Sequence, residues 1–266
     1  MNIVVCIKQI IDPEIIPEQF KLDPTTKQQV QGGLPLLISA YDQNALELAL
    51  QLKEKAGGKV TALCLGESGG AAALKSAMGM GVEAGVLVTD PVLRGSDSFG
   101  VAYALSLAIQ KLGVPDLVLT GCVSGDTGTK VVGPLLAEGL GLPCLTFVTQ
   151  IALDDGAVRA RRILEDGYEE VDARLPLVCT ILSDDRNVPR YSKLKDIMAA
   201  ARRPVTVWKG SDLGLDPARV GAAAVRVPVG DIVIPQRDSQ CELIPGETPE
   251  EQAAGLVAQL RARKVL

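Results

Sequence analysis

Apolar positions along this chain recur in two alternating rhythms. Short β-branched runs, "NIVVCIK" (2–8), "KVTALCL" (59–65), "AGVLVTD" (84–90), "PDLVLTG" (115–121) and "CLTFVTQIAL" (144–153), alternate with longer stretches at helical spacing: "YDQNALELALQLKEKA" (41–56), "AAALKSAMGMG" (71–81), "DSFGVAYALSLAIQKLG" (97–113) and "KVVGPLLAEGLG" (130–141). Such alternation predicts a parallel sheet with helices on both faces, an α/β doubly wound fold with strand order about 3-2-1-4-5. Ser39 and Asp42 have the spacing of a capping box ahead of the first helix, and Gly57-Gly58 ends it. Past residue 150 two Asp-Gly turns divide "ALDDGAVRARRILEDGYEEVDARLPLVCTIL" into alternating segments, an antiparallel hairpin addition from which the chain returns as the buried strand "PLVCTIL".

After "VPRYSKLKDIMAAARRPVTVWKG" the polar joint "SDLGLDP" separates a body, 1–210, from an arm, 211–266, with "VRVPVGDIVIPQ" extended and "TPEEQAAGLVAQLRARKVL" helical. So few core-forming residues suit an arm that wraps a partner chain or the rim of the body. One connection is anomalous: roughly 30 residues, 9–38, lie between the first strand and first helix, where crossover loops take about 2 to 6. A loop of that length is functional or interfacial.

Composition narrows the chemistry. With 47% hydrophobic residues in 266 the chain buries a substantial core. A net charge of -5 gives no general attraction for nucleic acid, and no apolar run approaches the roughly 20 residues of a membrane helix. The start "MNIVVCIKQIID" reads as a strand and not as a signal peptide, so a cytoplasmic location is expected. Six cysteines without a CxxC pair read as reduced structural thiols. The absence of histidine removes Ser-His-Asp and Cys-His nucleophiles and every His-ligated metal site. No catalytic residue and no metal ligand is assigned, and any catalysis must come from a cofactor or from carboxylates and lysines.

The Gly-rich stretch "GCVSGDTGTKVVGP" (121–134) follows a strand and precedes a helix. It is not a Walker A motif, because Lys130 is followed by Val131, and the first strand lacks the glycines of a dinucleotide fingerprint. "GMGVEAG" (79–85) precedes a strand and reads as a helix C-cap. In an open parallel sheet ligands bind beyond the strands' carboxyl ends where the order reverses, here between the first and fourth strands, at Cys6 to Lys8 and Thr120 to Gly121. Gly125 and Gly128 would let backbone approach a phosphate, Ser124, Asp126, Thr127 and Thr129 offer short polar groups, and a helix start after Thr129 presents free amides. An ordinary capped turn is the alternative. The charges of "YEEVDAR" fit a solvated strand face. In "SKLKDIMAAARRP", Leu194, Ile197, Met198 and Ala201 share a helix face beside Lys193, Lys195, Arg202 and Arg203, the pattern of either core packing or a docking element.

Taken together, "VVCIKQIID", "YDQNALELALQLKEK", "DLVLTGCVSGDTGTKVVGP", "RRILEDGYEEVDARLPLVCT", "VPRYSKLKDIMAAARRP" and the late "PQR" make the chain resemble the β subunit of electron transfer flavoproteins over essentially its whole length. The resemblance implies an α subunit that holds FAD against this one, an electron-donating dehydrogenase, and a second nucleotide within the chain, AMP or, in the bifurcating branch, FAD. By residue matching that nucleotide meets Cys6, the segment Ser39, Ala40, Tyr41 and Asp42, Leu65 with Gly66, and the loop from Gly121 and Cys122 to Val132. Arg162 matches the arginine that approaches the partner-held flavin, and Leu194 the anchor leucine of a recognition loop. The implied activity is electron carriage through FAD. Its rivals are NADH-dependent flavin-based bifurcation and a non-redox regulatory protein that binds an adenine nucleotide.

Overall fold

The computed structural model describes the 266-residue chain except residues 26–28, 155, 231 and 235–240, so the "PQR" of the resemblance lies outside the described residues. The chain divides into two compact units, Met1–Val229 and Gly230–Leu266. Leu215, within the 211–217 joint, and Val220 are buried in the core of the first unit.

The body is built on a nine-stranded sheet. Its parallel center is β1 (Asn2–Ile7), β4 (Lys59–Leu65), β5 (Ala84–Val88), β6 (Leu117–Gly121) and β10 (Leu177–Ile181). A three-stranded antiparallel meander, β7 (Cys144–Asp154), β8 (Ala157–Leu164) and β9 (Gly167–Arg174), extends one edge, and β11 (Thr206–Trp208) joins the other beside β5. The order is β11-β5-β4-β1-β6-β10-β7-β8-β9. The expected 3-2-1-4 core is present, and the returning strand β10 inserts between β6 and β7 to take the next place.

Alternation along each strand sends side chains to both faces. Ile3, Val5 and Ile7 face one core with α1 (Ala40–Ala56) and α2 (Gly70–Met80), and Val4 and Cys6 face the other with α3 (Ser98–Leu112) and α4 (Val132–Leu140). Strands buried on both faces read as continuous apolar runs, which is why "NIVVCI" is a central strand. Gly81, at φ 123°, closes α2 as the sequence expects of a C-cap. The long connection after β1 is closed at its base by a ladder between β2 (Gln9–Ile11) and β3 (Leu36–Ile38).

Ser39 and Asp42 do not form the capping box. Ser39 gives α1 no side-chain cap, because its hydroxyl accepts the Gly125 N–H and the Asp42 carboxylate is taken up by the strand ends. The helix after the Gly-rich loop begins at Val132 rather than directly after Thr129, and "VRVPVGDIVIPQ" forms no strand among its described residues.

α1 is nearly enclosed, yet it carries a polar stripe, Asn44, Glu47, Gln51 and Glu54, at helical spacing. The segment between β10 and α5 (Leu194–Arg202) satisfies that stripe. Asn44 Nδ2 donates to the carbonyl of Asn187 (3.0 Å), and Gln51 Nε2 to that of Arg186 (2.9 Å). Arg190 pairs with Glu47 (2.8 Å) and Glu54 (2.5 Å). Burial opposes ionisation of Glu47, whose side chain is only 6% exposed, but Arg190 and Gln51 outweigh it and hold the carboxyl below its usual range.

In the second unit, α6 (Pro249–Ala262) is capped by the Thr248 hydroxyl, and Glu242 pairs with Arg263 across the preceding segment. Among the described residues no helix is long and apolar enough to cross a membrane.

Arg190→Met should lower stability by about 2 kcal/mol at pH 7, because it leaves the Glu47 carboxylate buried and unpaired while Arg190 itself is partly solvated. Thermal melts should show a loss of about 4–8 °C. Because Glu47 has a depressed folded pKa, its contribution is present above its ordinary value of 4.5 and is lost as pH falls below it. The gap between wild type and variant should therefore narrow in acid, and a gap independent of pH would contradict this account.

Candidate functional site

The crossovers diverge between β1 and β6: the connection from β1 leads to α1 on one face and that from β6 to α4 on the other. This is the switch point, and a single carboxylate spans it. Asp42, on the first turn of α1 and 7% exposed, accepts the Lys8 N–H at 2.8 Å through one oxygen and the Gly121 N–H at 2.9 Å through the other. Burial pushes its pKa up to about 7, against the lowering effect of those two N–H donors and the Lys8 ammonium. Gly121 is required here: a Cβ would lie 2.5 Å from Asp42 Oδ1 and 2.9 Å from the Tyr41 Cβ.

Around this staple the structure gathers most of the residues that sequence and resemblance point to. Cys6, the next to last residue of β1, and Cys122, the residue after β6, are both buried, and burial raises both thiols, Cys122 to about 11, so they are neutral groups. The buried Ser39 accepts the Gly125 N–H at 3.2 Å, tying the loop to the start of α1, where Ala40 is exposed and Tyr41 half-buried. Ser124 and Thr127 share a hydroxyl contact of 3.1 Å, and Thr129 accepts from Ser98 Oγ at 3.2 Å. Leu65 and Gly66 stand at the carboxyl end of β4, adjacent to β1, and Val132 opens α4.

The loop from Gly125 to Val131 is exposed, and none of the hydrogen bonds among the described residues engages the backbone N–H of Thr129, Lys130 or Val131. A Cβ at Gly66 would meet no atom within 4 Å and one at Gly128 only Val123, at 3.9 Å, so open space lies beside both. Gly128 has φ 63°, a conformation that favors glycine. These donors, short hydroxyls and openings suit an anionic, hydroxyl-bearing ligand, as the sequence reading expects of the loop.

The sequence reading placed Lys8 at the end of the first strand but gave its side chain no role. Its ammonium meets both Asp126 oxygens, at 2.7 and 2.9 Å, and Thr127 Oγ1 at 3.4 Å. Burial opposes ionisation of Asp126, but Lys8 and hydrogen bonds from Ser124 and the Thr127 N–H hold the carboxyl below its usual range. The signal was available: Lys8 is the first charged residue after "NIVVCI", at the exit of the strand beside the switch point.

Two other groups lie apart from the loop. Arg162, on β8, donates to Thr146 Oγ1 at 3.1 Å and pairs with Glu169 at 3.1 Å, and its buried Nε has no partner among the described residues. The α5 face is solvent-facing: Leu194 is 73% exposed, Ile197 and Met198 are exposed, Lys193, Lys195 and Arg202 flank them, and only Ala200 is buried. The exposure of Leu194 excludes the core-packing alternative for that residue. Lys75 Nζ donates to the Ala201 carbonyl at 2.9 Å and Arg203 to the Val82 carbonyl at 2.8 Å, anchoring the end of α5 to α2 and the strand entry beyond it.

Comparison with known proteins agrees with this architecture. Residues 30–213 match the family described as "Electron transfer flavoprotein domain". The chain is 34% identical over 267 residues to the electron transfer flavoprotein subunit beta of Thermoanaerobacterium thermosaccharolyticum, covering 100% of both chains. It is 33% identical over 267 residues to the caffeyl-CoA reductase-Etf complex subunit CarD of Acetobacterium woodii, again with 100% of both covered. With protein FixA of Azorhizobium caulinodans it shares 37% identity over 223 residues, 81% of this chain and 78% of the relative. A family match across most of the chain and end-to-end identity above 30% establish that the chain belongs to the electron transfer flavoprotein family, in the group of its β subunits.

Proposed function

We propose that this chain pairs with an α subunit to carry electrons from a dehydrogenase through a shared FAD, and that it holds a nucleotide of its own, AMP or FAD, at the β1/β6 switch point. The observation that carries the reading is the convergence at that point of an exposed Gly-rich loop, free backbone donors and a fixed polar floor, in a chain similar end to end to electron transfer flavoprotein β subunits.

The residues fit the groups they are asked to hold. Thr129, Lys130 and Val131 offer amides to phosphate, Ser124 and Thr127 offer hydroxyls, and the space beside Gly66 and Gly128 admits the ligand's bulk. Arg162, its head fixed by Thr146 and Glu169, presents a fixed cation that suits an electron-rich ring edge. FAD, when bound, supplies the two-electron redox chemistry. The chain's own part is to orient and dock. α5 supplies the docking: a helix whose preceding segment is tied to α1 through Arg190 and whose end is tied to α2 presents three apolar side chains to solvent, with a cationic rim that would speed encounter with an acidic partner.

Co-expression with the α subunit, denaturation and identification of the released nucleotides tests the reading. FAD with AMP is the expected outcome, two FAD per pair would move the chain to the bifurcating branch, and no nucleotide would defeat the assignment. Gly66→Val separates site from fold, since Gly66 has no positive φ and its Cβ direction is empty. The variant should keep its melting temperature and lose at least about 10-fold in nucleotide affinity, roughly 1.4 kcal/mol. Gly128→Val is a poorer probe, because strain at φ 63° would act alongside crowding.

Leu194→Ala should leave melting temperature and flavin content near wild type, within about 0.5 kcal/mol, because the side chain is exposed. Reduction by the dehydrogenase should weaken in apparent affinity by about 10- to 150-fold, the cost of losing one buried leucine anchor. Unchanged electron transfer would place docking elsewhere.

A further inference from the structure

We propose that Lys8 is a positioning residue for the nucleotide: through Asp126 it clasps the turn at 124–127 to the exit of β1, and so holds the Gly-rich loop in the shape that receives an anionic ligand. This rests on the nucleotide reading above and assigns a role to a side chain that the sequence reading placed at the strand end without giving it one.

The clasp is fixed at its base and shared at its tip. The Lys8 N–H is bound by Asp42 at 2.8 Å, so the residue leaves the sheet from a defined point between β1 and β2. At the tip its ammonium lies 2.7 and 2.9 Å from the two Asp126 oxygens. Asp126 Oδ1 also accepts the Thr127 N–H at 2.7 Å, and Thr127 Oγ1 meets both Lys8, at 3.4 Å, and Ser124, at 3.1 Å. The Gly125 N–H is held by Ser39 at 3.2 Å on the other side. The turn is thereby tied to β1 and to α1 together, while residues 128–131, just beyond it, keep the open space and free amides.

A rival role gives the opposite sign. Asp126 could stand in for the ligand's own anion on Lys8 and be displaced when the nucleotide arrives. The hydrogen bonding argues against this: the Asp126 carboxylate is part of the turn's internal network, and withdrawing it to free Lys8 would release the Thr127 N–H as well. Removing the negative charge at 126 should therefore loosen the loop and weaken binding, where displacement would have it tighten binding.

The test is titration of AMP into the full chain freed of bound nucleotide, for wild type, Lys8→Met, Asp126→Asn, the double variant and Lys8→Arg, each with a thermal melt. Each single neutral variant should bind AMP about 3- to 10-fold more weakly, with melting temperature little changed, as suits a half-exposed pair whose worth is in ordering one loop. The double variant should bind no more weakly than the weaker single one, because both remove the same clasp. Lys8→Arg, which keeps the charge, should recover most of the affinity even if Lys8→Met folds poorly. Tighter or unchanged binding by Asp126→Asn, with wild type binding AMP and Gly66→Val not, overturns the clasp and leaves the site in place. Failure of wild type to bind AMP, ADP or FAD overturns the clasp and the nucleotide reading together.

Discussion

A buried carboxylate organizes this protein's functional end. Where a doubly wound sheet reverses order, two neighboring parallel strands send their crossovers to opposite faces, and the backbone groups at their carboxyl ends are left without ladder partners. In this chain Asp42 takes up one such N–H from each strand, Lys8 after β1 and Gly121 at the end of β6. The arrangement fixes the neighbors' identities. A side chain at 121 would collide with Asp42 and Tyr41, so glycine is required there for close approach. Burial works against the charge, while the two N–H donors favor it and are themselves satisfied by it.

The site then separates into a fixed part and an open part. Asp42, Ser39, Cys6 and Cys122 are buried, and the side-chain bonds of Asp42 and Ser39 run to other elements of the body. The loop beyond Gly125 is exposed; Asp126 and Thr127 meet Lys8, Thr129 meets Ser98, and the N–H groups of Thr129, Lys130 and Val131 have no partner among the described residues. That division suits a binding site, because the rigid floor bears the ordering cost before a ligand arrives and the open backbone retains donors for it. It also explains why the site carries no Walker or dinucleotide motif. The donors are backbone amides, and their placement comes from tertiary ties at Ser39, Asp42 and Lys8 that leave no signature in the loop itself.

Local periodicity made the elements legible and non-local contacts hid the rest. "NIVVCI", "KVTALCL" and "DLVLTG" had to be buried strands, and the switch point followed from their order with the helices between them. The place of β10 between β6 and β7 was hidden, because it depends on where the meander returns the chain. Ser39 and Asp42 matched a capping pattern by spacing, but in the fold both side chains find tertiary partners, which win over the local cap. Periodicity likewise grouped Leu194, Ile197 and Met198 on one face of α5 without saying whether that face met the body or solvent. The answer lay on another helix, whose polar stripe draws in the segment before α5 and leaves α5 supported from below.

That helix gives the molecule its mechanical logic. The first turn of α1 carries Asp42 at the switch point, and the turns that follow carry Asn44, Glu47, Gln51 and Glu54, which hold Asn187, Arg186 and Arg190 just ahead of α5. A polar stripe on an otherwise buried helix costs stability unless each group is met, and here the segment from β10 meets them. One 17-residue helix, about 25 Å long at 1.5 Å per residue, thus links the switch point to the segment that precedes the exposed apolar face. At the first end two backbone N–H groups meet Asp42, and along the helix Arg190 pairs with Glu47 and Glu54. The link costs the helix four polar residues where apolar ones would pack more simply, and it holds the switch point and the segment before α5 in one relation.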